Sequence, residues 1–287
     1  MSSTVLLTII SLTLLGLLSA VILYFIAQKF KIFEDPRIDE VQAILPAANC
    51  GGCGFAGCRN FAEALVKADT FDGLNCPVGG NATMSLAAHI LGKEAIANDP
   101  MVAVLLCNGT PKNRARTSVY DGPSDCRISH NLYTGETDCA YGCVGLGDCV
   151  KACSFNAMYM DALTELPVII DDKCVACGLC VKACPRNIIE LRKKAKKDRK
   201  IYVACANKDK GGPARRACKV ACIACSKCYD ACEFGAIKIE NNLAYIDANK
   251  CTFCRKCVAV CPTASIIELN FPPPKPKTEI HEATAKV

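Results

Sequence analysis

No tryptophan occurs among the 287 residues, and aromatic side chains make up only 6% of them. A chain so poor in large rings cannot fill a broad core with them, and it offers no aromatic platform interleaved with basic residues for nucleic acid. No Gly-x-Gly-x-x-Gly follows a β-rich run, so no nicotinamide or flavin site is visible. Gly-Lys-Ser/Thr is also missing, which excludes a phosphate loop. Charge is absent from the first 28 residues, and beyond them no second apolar run could cross a bilayer. A single span encloses no ion path.

What the chain has in excess is cysteine, 24 residues. Such a share marks a disulfide scaffold mainly in short secreted chains. Here the cysteines fall in runs spaced by two or three residues. Neighbours that close seldom meet disulfide geometry, whereas a metal cluster needs several thiolates converging on one point. Metal-nucleated domains also suit a modest core, because the metal supplies folding free energy. The uncharged segment 5–27 has roughly the ~20 residues that a membrane helix needs. A cleaved signal peptide needs a basic leader and a shorter apolar core. Residues 1–4 carry no charge, and Lys29 and Lys31 follow the span. The expectation is a retained anchor with its N-terminus outside and everything after residue 31 in the reducing cytoplasm.

Cys174-x2-Cys177-x2-Cys180-x3-Cys184-Pro185 is an unbroken copy of the bacterial ferredoxin run, and so is Cys251-x2-Cys254-x2-Cys257-x3-Cys261-Pro262. In such a run three thiolates wrap three corners of a [4Fe–4S] cube, and the fourth cysteine serves the other cluster of a pair. Zinc sites favour two separated cysteine pairs instead. With Cys222-x2-Cys225-x2-Cys228-x3-Cys232 as partner run, crossing predicts one set of Cys222, Cys225, Cys228 and Cys261 and another of Cys232, Cys251, Cys254 and Cys257. The first repeat departs from this pattern. Leu146 stands where a middle cysteine belongs, leaving Cys143-x5-Cys149-x3-Cys153. Cys139 is the nearest substitute in sequence, which assigns Cys139, Cys143, Cys149 and Cys184 to one cluster and Cys153, Cys174, Cys177 and Cys180 to the other.

A separate set, Cys50-x2-Cys53-x4-Cys58-x17-Cys76, lies in a glycine-rich loop whose backbone can fold tightly and offer N–H groups to sulfur. Five [4Fe–4S] clusters thus account for 20 cysteines. Cys107, Cys126, Cys205 and Cys218 remain, as ordinary buried thiols, alternative ligands or parts of a further site. His89, His130 and His281 are scattered and read as ordinary residues. Asn81-Ala-Thr83 matches a glycosylation sequon, incidental in a cytoplasmic chain.

Two runs ending in cysteine, at Cys107 and Cys205, open an internal repeat. Cys139-x3-Cys143 ends ten residues before Cys153, as Cys218-x3-Cys222 does before Cys232. The fold class expected is α+β. A transmembrane anchor (1–31) precedes a small helical 4Fe-4S domain (32–100). Ferredoxin-like bis-cluster domains at 101–191 and 201–270 are joined by a basic linker (192–200) and followed by a disordered, Pro-rich tail (271–287). Segment 32–100 holds 4 basic and 9 acidic side chains and segment 101–287 holds 28 and 19. Seven of the nine residues in 192–200 are Lys or Arg, which suits either a solvated linker or a surface that steers an acidic partner.

The order of parts resembles the B subunit of the Rnf complex (RnfB, also RsxB). The most specific feature is Asn49-Cys-Gly-Gly-Cys-Gly-Phe-Ala-Gly-Cys58 directly after a membrane helix. The resemblance covers nearly the whole chain, although shorter members carry one ferredoxin-like module and this chain has two. It implies an electron-transfer subunit of an ion-translocating ferredoxin:NAD+ oxidoreductase in the bacterial cell (inner) membrane. Such a subunit accepts electrons from reduced ferredoxin on the cytoplasmic side and passes them to membrane subunits, with flavin- and NAD-binding sites on other subunits. No bond-making residue is expected in this chain. An electron-transfer subunit of a hydrogenase-type complex and a zinc-stabilised interaction protein are the rival readings. A reporter fused to the C-terminus should be active in the cytoplasm and silent outside; the reverse pattern would overturn the topology.

Overall fold

The computed structural model describes residues 3–29 and 34–272. The tail expected to be disordered lies, beyond Pro272, outside the described residues. The first element, α1 (Ser3–Lys29), is built from leucine, isoleucine and alanine without a charge before its last residue. Its 27 residues extend roughly 40 Å at helical rise, more than the ~30 Å of a bilayer's hydrocarbon. Its large apolar side chains are exposed rather than packed on the protein, Leu7 at 71% and Leu14 at 69%. That surface suits lipid, and among the described residues α1 is the one helix long and apolar enough to span a membrane.

Three short helices follow, α2 (Arg37–Ile44), α3 (Cys58–Lys67) and α4 (Gly80–Leu91). Pro46 stops α2, because the residue before a proline is pushed out of helical geometry; Leu45 is extended, with ψ 149°. Val41, Phe61, Leu65 and Met84 form the centre of the core where the three helices meet. Gly92, left-handed at φ 64°, ends α4. The next residue turns back to α3, where Lys93 Nζ donates to the carbonyls of Leu65 (2.7 Å), Val66 (3.2 Å) and Ala68. It thereby satisfies acceptors that a helix end leaves open.

The rest is two modules of one plan. The first runs β1 (Met101–Leu105), α5 (Cys126–Leu132), α6 (Asp148–Lys151), β2 (Met158–Met160), β3 (Pro167–Ile169), α7 (Leu179–Ala183) and β4 (Ile189–Lys193). The second runs β5 (Lys200–Val203), α8 (Gly211–Ala217), α9 (Lys227–Asp230), β6 (Ile237–Glu240), β7 (Leu243–Ile246), α10 (Lys256–Val260) and β8 (Ile266–Leu269). In each, the first strand pairs antiparallel with the last, with Val102 opposite Arg192 and Ile201 opposite Glu268. The middle strands pair with each other, with Tyr159 opposite Val168 and Lys238 opposite Tyr245. Residues 106–125, between β1 and α5, form a long irregular segment with no equivalent of similar length in the second module.

The modules pack through β1 and β5, burying Val104, Tyr202 and Ala204 against Leu106 and Ile267. The basic run 192–200, expected to be a linker, differs from that expectation at both ends. Arg192 belongs to β4 and Lys200 to β5, and both are buried. The Arg192 guanidinium donates to the Ile246 carbonyl at 2.9 Å and lies over the rings of Tyr202 and Tyr245. Lys200 pairs with Asp171 at 2.5 Å. These two cations hold the modules together because buried charge must be paired. Only the middle of the run, at Lys193, Lys196 and Lys197, faces solvent.

Candidate metal centres

Each ferredoxin-type loop repeats one backbone. Counting from its first cysteine, the second and fourth following residues have positive φ. They are Ala176 (55°) and Gly178 (77°) after Cys174, Ala224 (51°) and Ser226 (63°) after Cys222, and Phe253 (59°) and Arg255 (66°) after Cys251. For a residue with a Cβ the left-handed region costs roughly 1–2 kcal/mol, and such residues persist where the surroundings impose them. The two left turns wind the loop so that its cysteines face inward. Three residues beyond the last cysteine of each run the chain turns left again, at Asn156, Asn187, Gly235 and Ala264, and enters a strand.

The inward faces enclose four voids, two per module, and four cysteines line each. Cys222, Cys225, Cys228 and Cys261 line one, and Cys232, Cys251, Cys254 and Cys257 line another. In the first module Cys153, Cys174, Cys177 and Cys180 line a third. In these three voids one cysteine comes from the opposite run, as crossing requires. Among the described residues no group of His, Cys, Asp and Glu could hold a single metal ion. A ring of thiols around a void is instead what a cube needs, since each iron corner takes its own sulfur. The donor set, thiolate only, fits iron–sulfur chemistry.

The fourth void is lined by Cys126, Cys143, Cys149 and Cys184. Cys139, assigned to this set from its spacing, is not on it. The loop that lacks a middle cysteine still winds as the others do, with Gly145 at 89° and Gly147 at 78°. Leu146 keeps the backbone position but brings no sulfur. The Cys126 thiol takes that place, accepting the Leu146 N–H. It is held there by the start of α5, where Asp125 caps Arg127 and Ile128 through its side chain and the Cys126 N–H donates to Asp148 Oδ2 at 2.8 Å. Sequence spacing missed Cys126 because 19 residues separate it from the gap at 146. One signal could have found it. Cys139 has a counterpart in Cys218, which no complete set uses, so the repeat gives Cys139 no place in this set.

In the N-terminal unit Cys53 and Cys58 lie beside buried Cys76, and Asn49 Oδ1 ties the loop together by accepting the Cys58 N–H at 2.9 Å. Cys50, at the head of the loop, lies near Cys177. The two units touch closely, since a Cβ on Gly52 would stand 2.8 Å from the Cys177 carbonyl and 2.9 Å from the Pro77 ring.

Burial pushes the thiols of Cys143, Cys149 and Cys257 up to about 12 and those of Cys180 and Cys228 up to about 11. Thiolates so disfavoured need a cation to hold them ionised, which iron supplies. Backbone donors prepare the sulfurs for that charge. Gly79 N–H donates to Cys76 at 3.3 Å and Ala157 N–H to Cys153 at 3.4 Å. At Cys261 burial acts upward, but the N–H groups of Ile266, Thr263 and Ser265 outweigh it and the net shift is downward.

Known proteins carry the same pattern. Residues 45–78 match the family model described as "Putative Fe-S cluster", and residues 139–188 and 221–265 match "4Fe-4S dicluster domain". The B subunit of the ion-translocating oxidoreductase complex of Methanosarcina acetivorans is 39% identical over 93% of this chain and 99% of its own. This chain belongs to that B-subunit family. Two further members are the B subunits of the proton-translocating ferredoxin:NAD(+) oxidoreductase complex of Clostridium ljungdahlii and of its Na(+)-translocating counterpart from Acetobacterium woodii. The first is 38% identical over 92% of both chains, and the second 40% identical over 86% of this chain and 73% of its own. The Methanosarcina protein therefore aligns with this chain almost throughout. Gly52→Ala should loosen the contact at Cys177 by about 1–3 kcal/mol, the usual cost of overpacking. Amide exchange in 50–58 and 174–178 would then quicken roughly fivefold or more, whereas unchanged exchange would count against the contact.

Proposed function

We infer that the chain is the iron–sulfur electron-relay subunit of a membrane-bound, ion-translocating ferredoxin:NAD+ oxidoreductase. One observation carries the reading: voids ringed by four thiols recur four times in a chain that aligns over nearly its whole length with the B subunit of such a complex. Five thiol sets would each hold a [4Fe–4S] cluster. They are Cys50, Cys53, Cys58 and Cys76; Cys126, Cys143, Cys149 and Cys184; Cys153, Cys174, Cys177 and Cys180; Cys222, Cys225, Cys228 and Cys261; and Cys232, Cys251, Cys254 and Cys257. When bound, such clusters supply one-electron storage and transfer without making or breaking a bond.

The polypeptide does the rest. Its left-handed loops fix where each sulfur points, its core excludes water, and its backbone N–H groups offset charge on the sulfurs, which tunes the potential. The N-terminal set follows the anchor directly in sequence and is the side that meets integral membrane subunits. Reduced ferredoxin, typically acidic, docks on the basic side of the modules, and the flavin- and NAD-binding sites belong to partner subunits. Lys29 and Lys31 keep the modules in the cytoplasm.

Two experiments test this. Cys126→Ser should lower the iron content by about four per chain. Adding Leu146→Cys should restore it, because the loop already has the required winding; an iron content untouched by Cys126→Ser would remove Cys126 from the set. Reversing the exposed lysines (Lys193→Glu, Lys196→Glu and Lys197→Glu together) should slow reduction by ferredoxin about tenfold or more at low ionic strength, with the difference shrinking as salt rises. Arg192 and Lys200 must be left in place, since both are buried and paired. An unchanged rate would reject this docking surface.

A further inference from the structure

Four cysteines belong to none of these sets: Cys107, Cys139, Cys205 and Cys218. The structure gathers them where the modules meet. Asn207 joins two of them, donating from Nδ2 to the Cys139 sulfur at 3.6 Å and from its backbone to the Cys205 sulfur at 3.4 Å. The Cys218 thiol has those of Cys107 and Cys139 as neighbours, and Cys205 has Cys139. The segments that carry them are cross-linked by backbone hydrogen bonds, Asn108 N–H to the Ala204 carbonyl at 3.0 Å and Lys219 N–H to the Asn113 carbonyl at 2.8 Å.

The group follows the repeat. Cys107 ends the run that opens with β1, and Cys205 ends the run that opens with β5. Cys139 and Cys218 each stand four residues ahead of the first cysteine of a ferredoxin-type loop, Cys143 and Cys222. Each module therefore contributes an equivalent pair. The likeness extends to their contacts, because Cys107 accepts the N–H of Cys143 at 3.4 Å and Cys205 accepts the N–H of Cys222. Two thiols from each side, matched by position and by hydrogen bond, are not what incidental core cysteines would show.

The charge around them lacks an anion. Arg114 is only 8% exposed, and its side-chain hydrogen bond is to Thr137 Oγ1 at 3.4 Å. Arg186 donates to the carbonyls of Thr134, Cys139 and Gly142, while its Nε is buried with no partner. Among the described residues neither guanidinium has a carboxylate beside it. Arg114 faces Cys143 and Cys218, and Arg186 faces Cys107, Cys139 and Cys143. Gly142 makes room for this approach, since a Cβ there would stand 2.9 Å from Arg114 Nη1 and 3.4 Å from the Cys139 sulfur. A buried and a half-buried cation without a counter-charge are costly to desolvate, and a cluster held by four thiolates is an anion.

We propose that Cys107, Cys139, Cys205 and Cys218 hold a sixth [4Fe–4S] cluster, shared between the two modules. All 24 cysteines then divide into six sets of four. The shared set lies one backbone hydrogen bond from Cys143 on one side and Cys222 on the other, and so joins modules whose own sets are otherwise separate.

The test is a count on the full chain, purified anaerobically and loaded with iron and sulfide until uptake stops. Six sets predict a plateau of about 24 irons and five predict about 20. Cys107→Ser and Cys218→Ser should each remove about four irons and one spectral component by Mössbauer spectroscopy, leaving the other components unchanged. Cys257→Ser, in an intact ferredoxin-type set, should remove about four irons whether or not the sixth cluster exists. Its failure would therefore strike the five-set reading and not this one. A wild-type plateau at about 20 irons would overturn the sixth cluster even if the serine variants failed to fold. One zinc per chain in place of the last four irons would overturn it as well.

Discussion

The cysteines of one ferredoxin-type run can face a common centre only if the backbone between them bends twice within six residues, and a chain of L-residues resists that bend. The positive φ angles at Ala176, Ala224, Phe253 and Arg255 are the local signature of this constraint. Little in the side chains of those residues favours the conformation. The order of the modules depends on it nonetheless, because the short helices that follow, α7, α9 and α10, each start where the second left turn ends. The strands then close the unit behind them. Hydrophobic burial is present, with Ile188, Ile201 and Ile246 nearly inaccessible, but it packs around the thiol rings rather than replacing them.

The same dependence explains how basic residues are used. Basic side chains within a few residues of one another do different jobs. Arg192 and Lys200 are structural, paired and stacked between the modules. Lys193, Lys196 and Lys197 project into solvent, Lys193 in an exposed ion pair with Asp99 at 2.7 Å. Arg114 and Arg186, far from that run in sequence, face sulfur in the interior. A net charge of +6 is therefore a poor guide to what any one cation does; burial together with the partner each one faces separates the three classes.

Much of this was legible in the residues themselves. The ferredoxin-type runs at 174–184 and 251–261 point to the thiols that line three of the voids because three of the four sulfurs are local, and the crossing of the fourth follows from the paired runs. The long apolar helix was legible from its missing charge, and the α+β plan from strands that lead out of each cysteine run. The limits had physical causes. Cys126 replaces the absent sulfur at 146 through a helix placed by Asp125 and Asp148, a relation in space that spacing cannot encode. Arg192 and Lys200 looked like solvated linker because composition does not show that Tyr202, Tyr245 and Asp171 surround them.

The irregular stretch between β1 and α5 has a consequence for how this chain can vary. Loops with few regular elements ordinarily absorb insertions and deletions at little cost. This one ends at Cys126, whose thiol must reach Leu146 N–H in the module's interior. A shortened or lengthened segment would drag that sulfur with it. The least regular part of the first module is consequently among the least free to change its length, a tether in the guise of a surface loop.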